Sequence, residues 1–108
     1  MKREHLAHFS IAGFTYYDGV ICFNDLKIGT LLNLVLEENN PFDARAVAIY
    51  YNSYKLGFIP RTENRIFYKL LKVGFSGFEA RIQYLDCSEH AEGQIGVVVH
   101  LIQMADEK

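Results

Sequence analysis

Several groups of residues in this 108-residue chain have types and spacing that could do chemistry. Tyr16 and Tyr17 put two ring faces side by side, and a base or sugar face can stack on an exposed ring. Asn40-Pro41-Phe42-Asp43 sets an aromatic ring next to a carboxylate, which could accept a hydroxyl proton. The bland reading of this loop is that Pro41 shapes a turn, Phe42 plugs the core and Asp43 caps backbone N–H groups. Arg61, Arg65, Lys69 and Lys72 fall within about 80° of one another on a helical wheel, with Tyr68 beside them. Such a basic stripe could hold phosphates, each contact adding to a salt-dependent affinity. Its competing reading, favoured on residue types alone, is a solvated helix face whose Lys69 and Lys72 complement the helix dipole. Arg45 and Arg81 could extend the stripe.

Spacings that serve catalysis are missing. No carboxylate pair, nucleophile with its base or glycine-rich phosphate loop can be picked out, and Asp18, Asp25 and Asp43 fit turns better than a metal cluster. His5 and His8 have ligand-like spacing but lie near the terminus, while His90 and His100 stand apart, so neither a metal nor a cofactor is expected. Cys22 and Cys87 lack CxxC pairing and read as reduced, buried thiols. An enzyme is therefore not expected.

Composition sets the frame for these groups. Hydrophobic residues make up 50%, aromatics 14% and charged residues 22%, a balance that can bury one core without disulfides. The net charge is −2 and the isoelectric point about 6.0, so any polyanion site must be local. With no long apolar run, the chain is expected to be a single cytoplasmic domain over 1–108 with no membrane contact, its ends at 1–5 and 104–108 being mobile tails.

The elements that would position the candidate residues follow from periodicity. Leu6 to Tyr17 carries Phe9, Ile11, Phe14 and Tyr16 in rough alternation, predicting a first strand on which Tyr16 and Tyr17 take opposite faces. Asp18-Gly19 and Asn24-Asp25 are turn signals around a short apolar stretch, Val20 to Phe23, which predicts a hairpin or short excursion there. Strands are predicted over Leu31 to Leu36, Ala46 to Tyr51, Leu56 to Ile59, Phe78 to Leu85 and Ile95 to Met104. The one clear helix runs from Thr62 to Val73, with Thr62 as N-cap, Gly74 just past its end, and Ile66, Phe67, Leu70 and Leu71 on its buried side.

Gly13-Phe14-Thr15-Tyr16-Tyr17, then Glu37 with Asn40-Pro41-Phe42-Asp43-Ala44-Arg45-Ala46-Val47, then Leu56-Gly57-Phe58-Ile59-Pro60-Arg61 occur in order, and the pattern resembles the HIRAN family from the first strand through Leu85. The resemblance implies a mainly β fold: a compact OB-like β-barrel of about six strands with one or two helices. It implies a DNA-binding module of the kind found on repair helicases and nucleases, or free-standing in bacteria, that grips the 3′ end of single-stranded DNA. Carried over position by position, the pocket would use Tyr16 for stacking, Asp43 with Phe42 at the strand end, and Phe58. The chain departs from the family pattern at Thr15, where an arginine is expected, at Phe42, where a tyrosine is expected, and at Phe58, where a histidine is expected.

Two readings of function stand after this. In the first, single-stranded DNA or a DNA 3′ end lies over the barrel in a DNA repair or processing step, with the enzyme, a helicase or nuclease, supplied in trans. Tyr16 and Tyr17 provide a stacking ring, Phe42, Asp43 and Phe58 form the pocket, and Arg61, Arg65 and Lys69 hold phosphates. In the second, the acidic balance and the lost polar pocket residues belong to a protein-interaction module that recruits such an enzyme or self-associates as a homodimer.

Overall fold

Alternating burial along the strands places one face of a single sheet against the core. The computed structural model describes residues 2–86 and 95–103. In chain order it contains β1 (Arg3–Ser10), a 3₁₀ turn (Phe14–Tyr16), the one-turn α1 (Gly19–Cys22), a second 3₁₀ turn (Phe23–Asp25), β2 (Leu31–Leu36), β3 (Val47–Tyr51), β4 (Tyr54–Phe58), α2 (Arg65–Lys72), β5 (Phe78–Leu85) and β6 (Ile95–Ile102). The fold is mainly β, with six antiparallel strands in one sheet, ordered β1-β6-β5-β2-β3-β4. No helix among the described residues is long and apolar enough to cross a membrane.

The ladder is unevenly distributed. β5 and β6 pair along most of their length, whereas β2 and β5 meet only at Leu31–Arg81 and Leu32–Ala80. At the opposite side the chain leaving β1 turns back on the sheet: the Ile11 N–H donates to Ile95 O at 3.0 Å, and Ala12 and Phe58 exchange N–H···O bonds of 2.9 Å in each direction. This bridge brings the continuation of β1 against β4. The sheet is not closed by a continuous ladder, but its curl is consistent with an OB-like barrel.

The bridge depends on a missing side chain. Gly57 has φ +148°, and a Cβ there would lie 2.3 Å from the Ala12 carbonyl oxygen and 2.7 Å from Ile11 Cγ2. Around this contact the core gathers Phe9, Ile11, Phe14, Val47, Ile49, Leu56, Val97 and Val99, all buried. α2 closes the core from one side with Phe67, whose ring packs 6.0 Å from Phe9 and 5.2 Å from Phe78. Burying that ring contributes about 2–3 kcal/mol.

Several expectations need correction. The first strand stops at Ser10, and Phe14–Tyr16 is a 3₁₀ turn, because buried Phe14 must turn back into the core. Arg3, Glu4 and His5 belong to β1, held by pairing with β6, and not to a tail. Val20 to Cys22 is helical, packed where Gly19 meets the Phe14 ring. α2 begins at Arg65 with Asn64, not Thr62, at its N-cap position, and Ile66 is 44% exposed since this short helix leans on the core through Phe67 and Leu71. Gly74 does follow the helix with φ +89°, its N–H donating to Leu71 O. Cys22 is buried, as expected; Cys87, His90 and Met104 lie outside the described residues, as do 104–108.

Replacing Gly57 with alanine combines a conformation that side chains rarely adopt with a backbone clash. We expect a loss of about 2–4 kcal/mol, read as a lower urea midpoint at unchanged slope.

Candidate functional site

Asn40 organises the loop that follows β2. Its Oδ1 accepts the Phe42 N–H at 2.8 Å and the Asp43 N–H at 3.0 Å, an Asx-type turn that Pro41 preshapes. Asp43 then continues the turn, its Oδ1 accepting the Arg45 N–H at 3.0 Å. The loop is tied to α2 by Asn64, only 2% exposed, whose Nδ2 donates to Asp43 Oδ2 at 2.9 Å and to the Arg45 carbonyl at 2.8 Å. The capping part of the bland reading is thus correct. The other part is not: Phe42 is 80% exposed and plugs nothing.

Facing this loop, across an open cleft of about 210 Å³, stands the 3₁₀ turn with the end of β4. Tyr16, Tyr17, Phe42, Asp43, Phe58 and Arg61 all border the cleft, together with Ala12, Gly13, Asn40, Ala46 and Ile59. The alternation expected for the tyrosines does not apply in a 3₁₀ turn. Tyr16 stands clear of the protein at 84% exposure, while Tyr17 lies edge-on against Phe58 with ring centroids 5.5 Å apart. Ala12 and Phe58, joined by their backbone bridge, both line the cleft, so the contact that curls the sheet also builds one side of it.

The basic stripe separates in the structure. Arg61 precedes α2 and turns to the loop, donating to the Phe42 carbonyl, with its Nε 3.8 Å from Asp43 Oδ2. Lys72 is engaged by Glu38 at 3.1 Å and Tyr68 Oη at 3.2 Å, so it is not a free cation. Arg65 and Lys69 remain exposed on the first turns of α2, around a shallow depression with Thr62, Glu63 and Ile66. Arg81 is used on β5, donating to the Gly29 carbonyl and to Glu79. Among the described residues no group of three or more His, Cys, Asp or Glu side chains is arranged to hold a metal.

Sequence reasoning missed Asn64, Lys55 and the pairing role of Glu37. Asn64 sits just before a helix, where an asparagine reads as a cap, and nothing in the chain order announces that it reaches a loop some twenty residues back. Lys55 Nζ bonds Glu37 Oε2 at 2.6 Å, and Glu37 Oε1 accepts Asn40 Nδ2 at 2.9 Å.

These contacts set the local electrostatics. Burial pushes the Glu37 carboxyl up, but hydrogen bonds from Lys55 and Asn40, with the Lys55 charge, outweigh it and hold the group below the usual carboxylate range. Burial raises the Cys22 thiol, keeping it protonated and unreactive. Glu37 ionises more readily folded than unfolded, so its contribution is present above the unfolded carboxylate value and is lost as pH falls through the lower folded value. In urea melts at neutral pH and near pH 3, Glu37→Gln should lower stability by about 0.5–1 kcal/mol at neutral pH and by less in acid, narrowing the gap between the two.

Comparison with known proteins agrees with the geometry. The family model of the HIRAN domain matches residues 6–100. Among solved structures, a protein from Lactobacillus plantarum superposes with a TM-score of 0.79 at 22% identity, covering 93% of this chain and 95% of the other. The HIRAN domain of human HLTF superposes with a TM-score of 0.67 at 17% identity, covering 91% of this chain and 73% of the other. No curated protein sequence matches. At such identities the two structures establish the fold alone, whereas the family match runs from β1 through most of β6 and takes in every residue that borders the cleft, so the chain belongs to the HIRAN domain family.

Proposed function

We propose that the cleft binds an end of single-stranded nucleic acid, a free DNA 3′ end being the leading ligand, and that the domain delivers this end to an enzyme supplied in trans, a helicase or nuclease of DNA repair or processing. HIRAN domains are in general nucleic-acid-binding modules. The observation that carries the reading is the convergence of two highly exposed rings, Tyr16 and Phe42, on a cleft that also holds a carboxylate and a guanidinium. Exposed aromatic rings at a concave site are costly unless a partner covers them, and a base does so with its π-face.

Each residue has a role in this reading. Tyr16 stacks on the terminal base, and Phe42 closes on it from the loop side. Tyr17 and Phe58 form the apolar floor that takes the sugar. Asp43 spends one oxygen on Arg45 N–H and the other on Asn64, yet a carboxylate offers about four lone-pair directions and this one is partly exposed, leaving capacity for a terminal hydroxyl. Arg61 meets the last phosphate, and Arg65 and Lys69 lie onward along α2 for the next ones. The overall charge of −2 fits a short local footprint and not a long electrostatic track. No catalytic step is assigned to the chain.

A specific observation favours the protein-interaction reading as the second choice. Val20 and Ile21 in α1, just past the cleft tyrosines, are 65% and 74% exposed. Self-association or enzyme recruitment through them would be insensitive to salt.

Fluorescence anisotropy of labelled single-stranded DNA separates the two. With a free 3′ end we expect binding that weakens when the end is blocked, and about 5- to 150-fold weaker binding for Tyr16→Ala. Three phosphate contacts give a log–log salt slope of about −2, and Arg65→Ala with Lys69→Ala should reduce it to about −0.7. Absence of binding at low salt, with concentration-dependent self-association lost in Val20→Ser/Ile21→Ser, would replace this reading with the second.

A further inference from the structure

Lys55 lies outside the cleft, yet it touches both rings of its floor and, through Glu37, is linked to the loop on the other side. Its Nζ sits 4.8 Å from the centroid of the Tyr17 ring and 4.4 Å from that of Phe58, the two rings of the floor. The same ammonium donates to Glu37 Oε2 at 2.6 Å. Glu37 passes the connection on through Oε1 to Asn40 Nδ2 at 2.9 Å, and Asn40 holds the Phe42 and Asp43 amides at 2.8 and 3.0 Å. One uninterrupted chain of contacts therefore runs from the aromatic floor to the loop that carries Phe42 and Asp43, and neither Lys55 nor Glu37 borders the cleft itself.

The composition of this chain of contacts matters. The lysine side chain is 20% exposed and the glutamate 32%, so the pair is only partly screened by water. A cation over two rings at once constrains both, because the attraction falls as either ring rotates or withdraws. An apolar side chain of similar length could fill the space beside Tyr17 and Phe58 but, lacking a donor, could not also hold Glu37.

We infer that Lys55 is a positioning residue that sets the spacing between the Tyr17–Phe58 floor and the Asn40–Asp43 loop, and thereby fits the cleft to a flat nucleobase. This rests on the binding reading above and deepens it: discrimination for a base-bearing end is assigned to a residue that does not touch the ligand. Losing Lys55 lets the walls separate, so stacking and edge contacts can no longer be made together, while phosphate contacts from Arg61, Arg65 and Lys69 persist.

The test compares two single-stranded DNAs that differ only at the 3′ terminus, one ending in a normal nucleotide and the other in an abasic one, in anisotropy titrations with the full chain. The wild-type protein should prefer the base-bearing end by about tenfold, the scale of one base stacking on an aromatic ring. Lys55→Met should reduce that preference to less than about threefold with little change in affinity for the abasic strand, since only the stacking contribution is removed. Lys55→Arg, which keeps the charge and a donor for Glu37, should restore most of it. Circular dichroism checks that each variant is folded; should Lys55→Met fail to fold, Glu37→Gln breaks the same link from the other side and should show the same loss. A preserved preference in folded Lys55→Met or Glu37→Gln, or an equal weakening toward both strands, overturns the positioning role while leaving the binding reading intact. Wild-type protein that binds neither strand overturns both.

Discussion

Two hydrogen bonds between Ala12 and Phe58 hold the rest of this molecule in place. They bring the chain leaving β1 against β4, curl the six-stranded sheet, and put the Phe14–Tyr16 turn across from the loop after β2. The approach is close enough that any Cβ at Gly57 would overlap the Ala12 carbonyl oxygen. A local backbone requirement and a global topological one meet at that single residue. The sheet's other connection, between β2 and β5, is short within the strands but is extended by the bonds that Ile82 exchanges with Gly29 and Thr30, so this bridge, that ladder and the core packed beneath them register the two halves of the sheet together.

The cleft is a consequence of that closure. A 3₁₀ turn cannot bury all its aromatic residues, so Phe14 goes inward and Tyr16 is left outside. Across from it, the Asx turn that Asn40 builds spends the loop's own amides on a side chain and leaves Phe42 standing in solvent. Asn64 anchors the turn from α2, and the buried amide is satisfied at both of its donors. The cleft is therefore held on the loop side by hydrogen bonds and on the floor by aromatic packing, with the Glu37–Lys55 pair between them.

Family membership and chain-specific chemistry divide cleanly at this site. By the resemblance drawn from the sequence, the loop, Gly57 and Tyr16 keep the HIRAN pattern, while Phe42 and Phe58 on the cleft, and Thr15 beside it, stand where that pattern implies a tyrosine, a histidine and an arginine. The cleft that results is more apolar. Its remaining polar groups are partly engaged within the protein: Asp43 with Asn64 and Arg45, Arg61 with the Phe42 carbonyl. Under the proposed function, such a site would draw its free energy more from stacking and less from hydrogen bonds, which would shift the weight of recognition toward the geometry of the walls.

The sequence by itself determined the strands from Leu31 onward, the existence of α2, the Asn40-Pro41 turn and the family, because each of these is written in local periodicity, in backbone chemistry or in short ordered motifs. It also brought forward Tyr16, Tyr17, Phe42, Asp43, Phe58 and Arg61, all of which the fold gathers at one cleft. What the tertiary structure alone decided was how these residues face one another. Alternation put Tyr16 on a strand, whereas the demand to bury Phe14 made a turn there, left Tyr16 in solvent and laid Tyr17 against Phe58. Helical spacing joined Arg61 to Arg65, Lys69 and Lys72, but the helix starts after Arg61, and Glu38 takes Lys72. Asn64 and Lys55 gave no local sign, since their partners are distant in the chain and their meaning arises only when the sheet curls and brings those partners within hydrogen-bond reach.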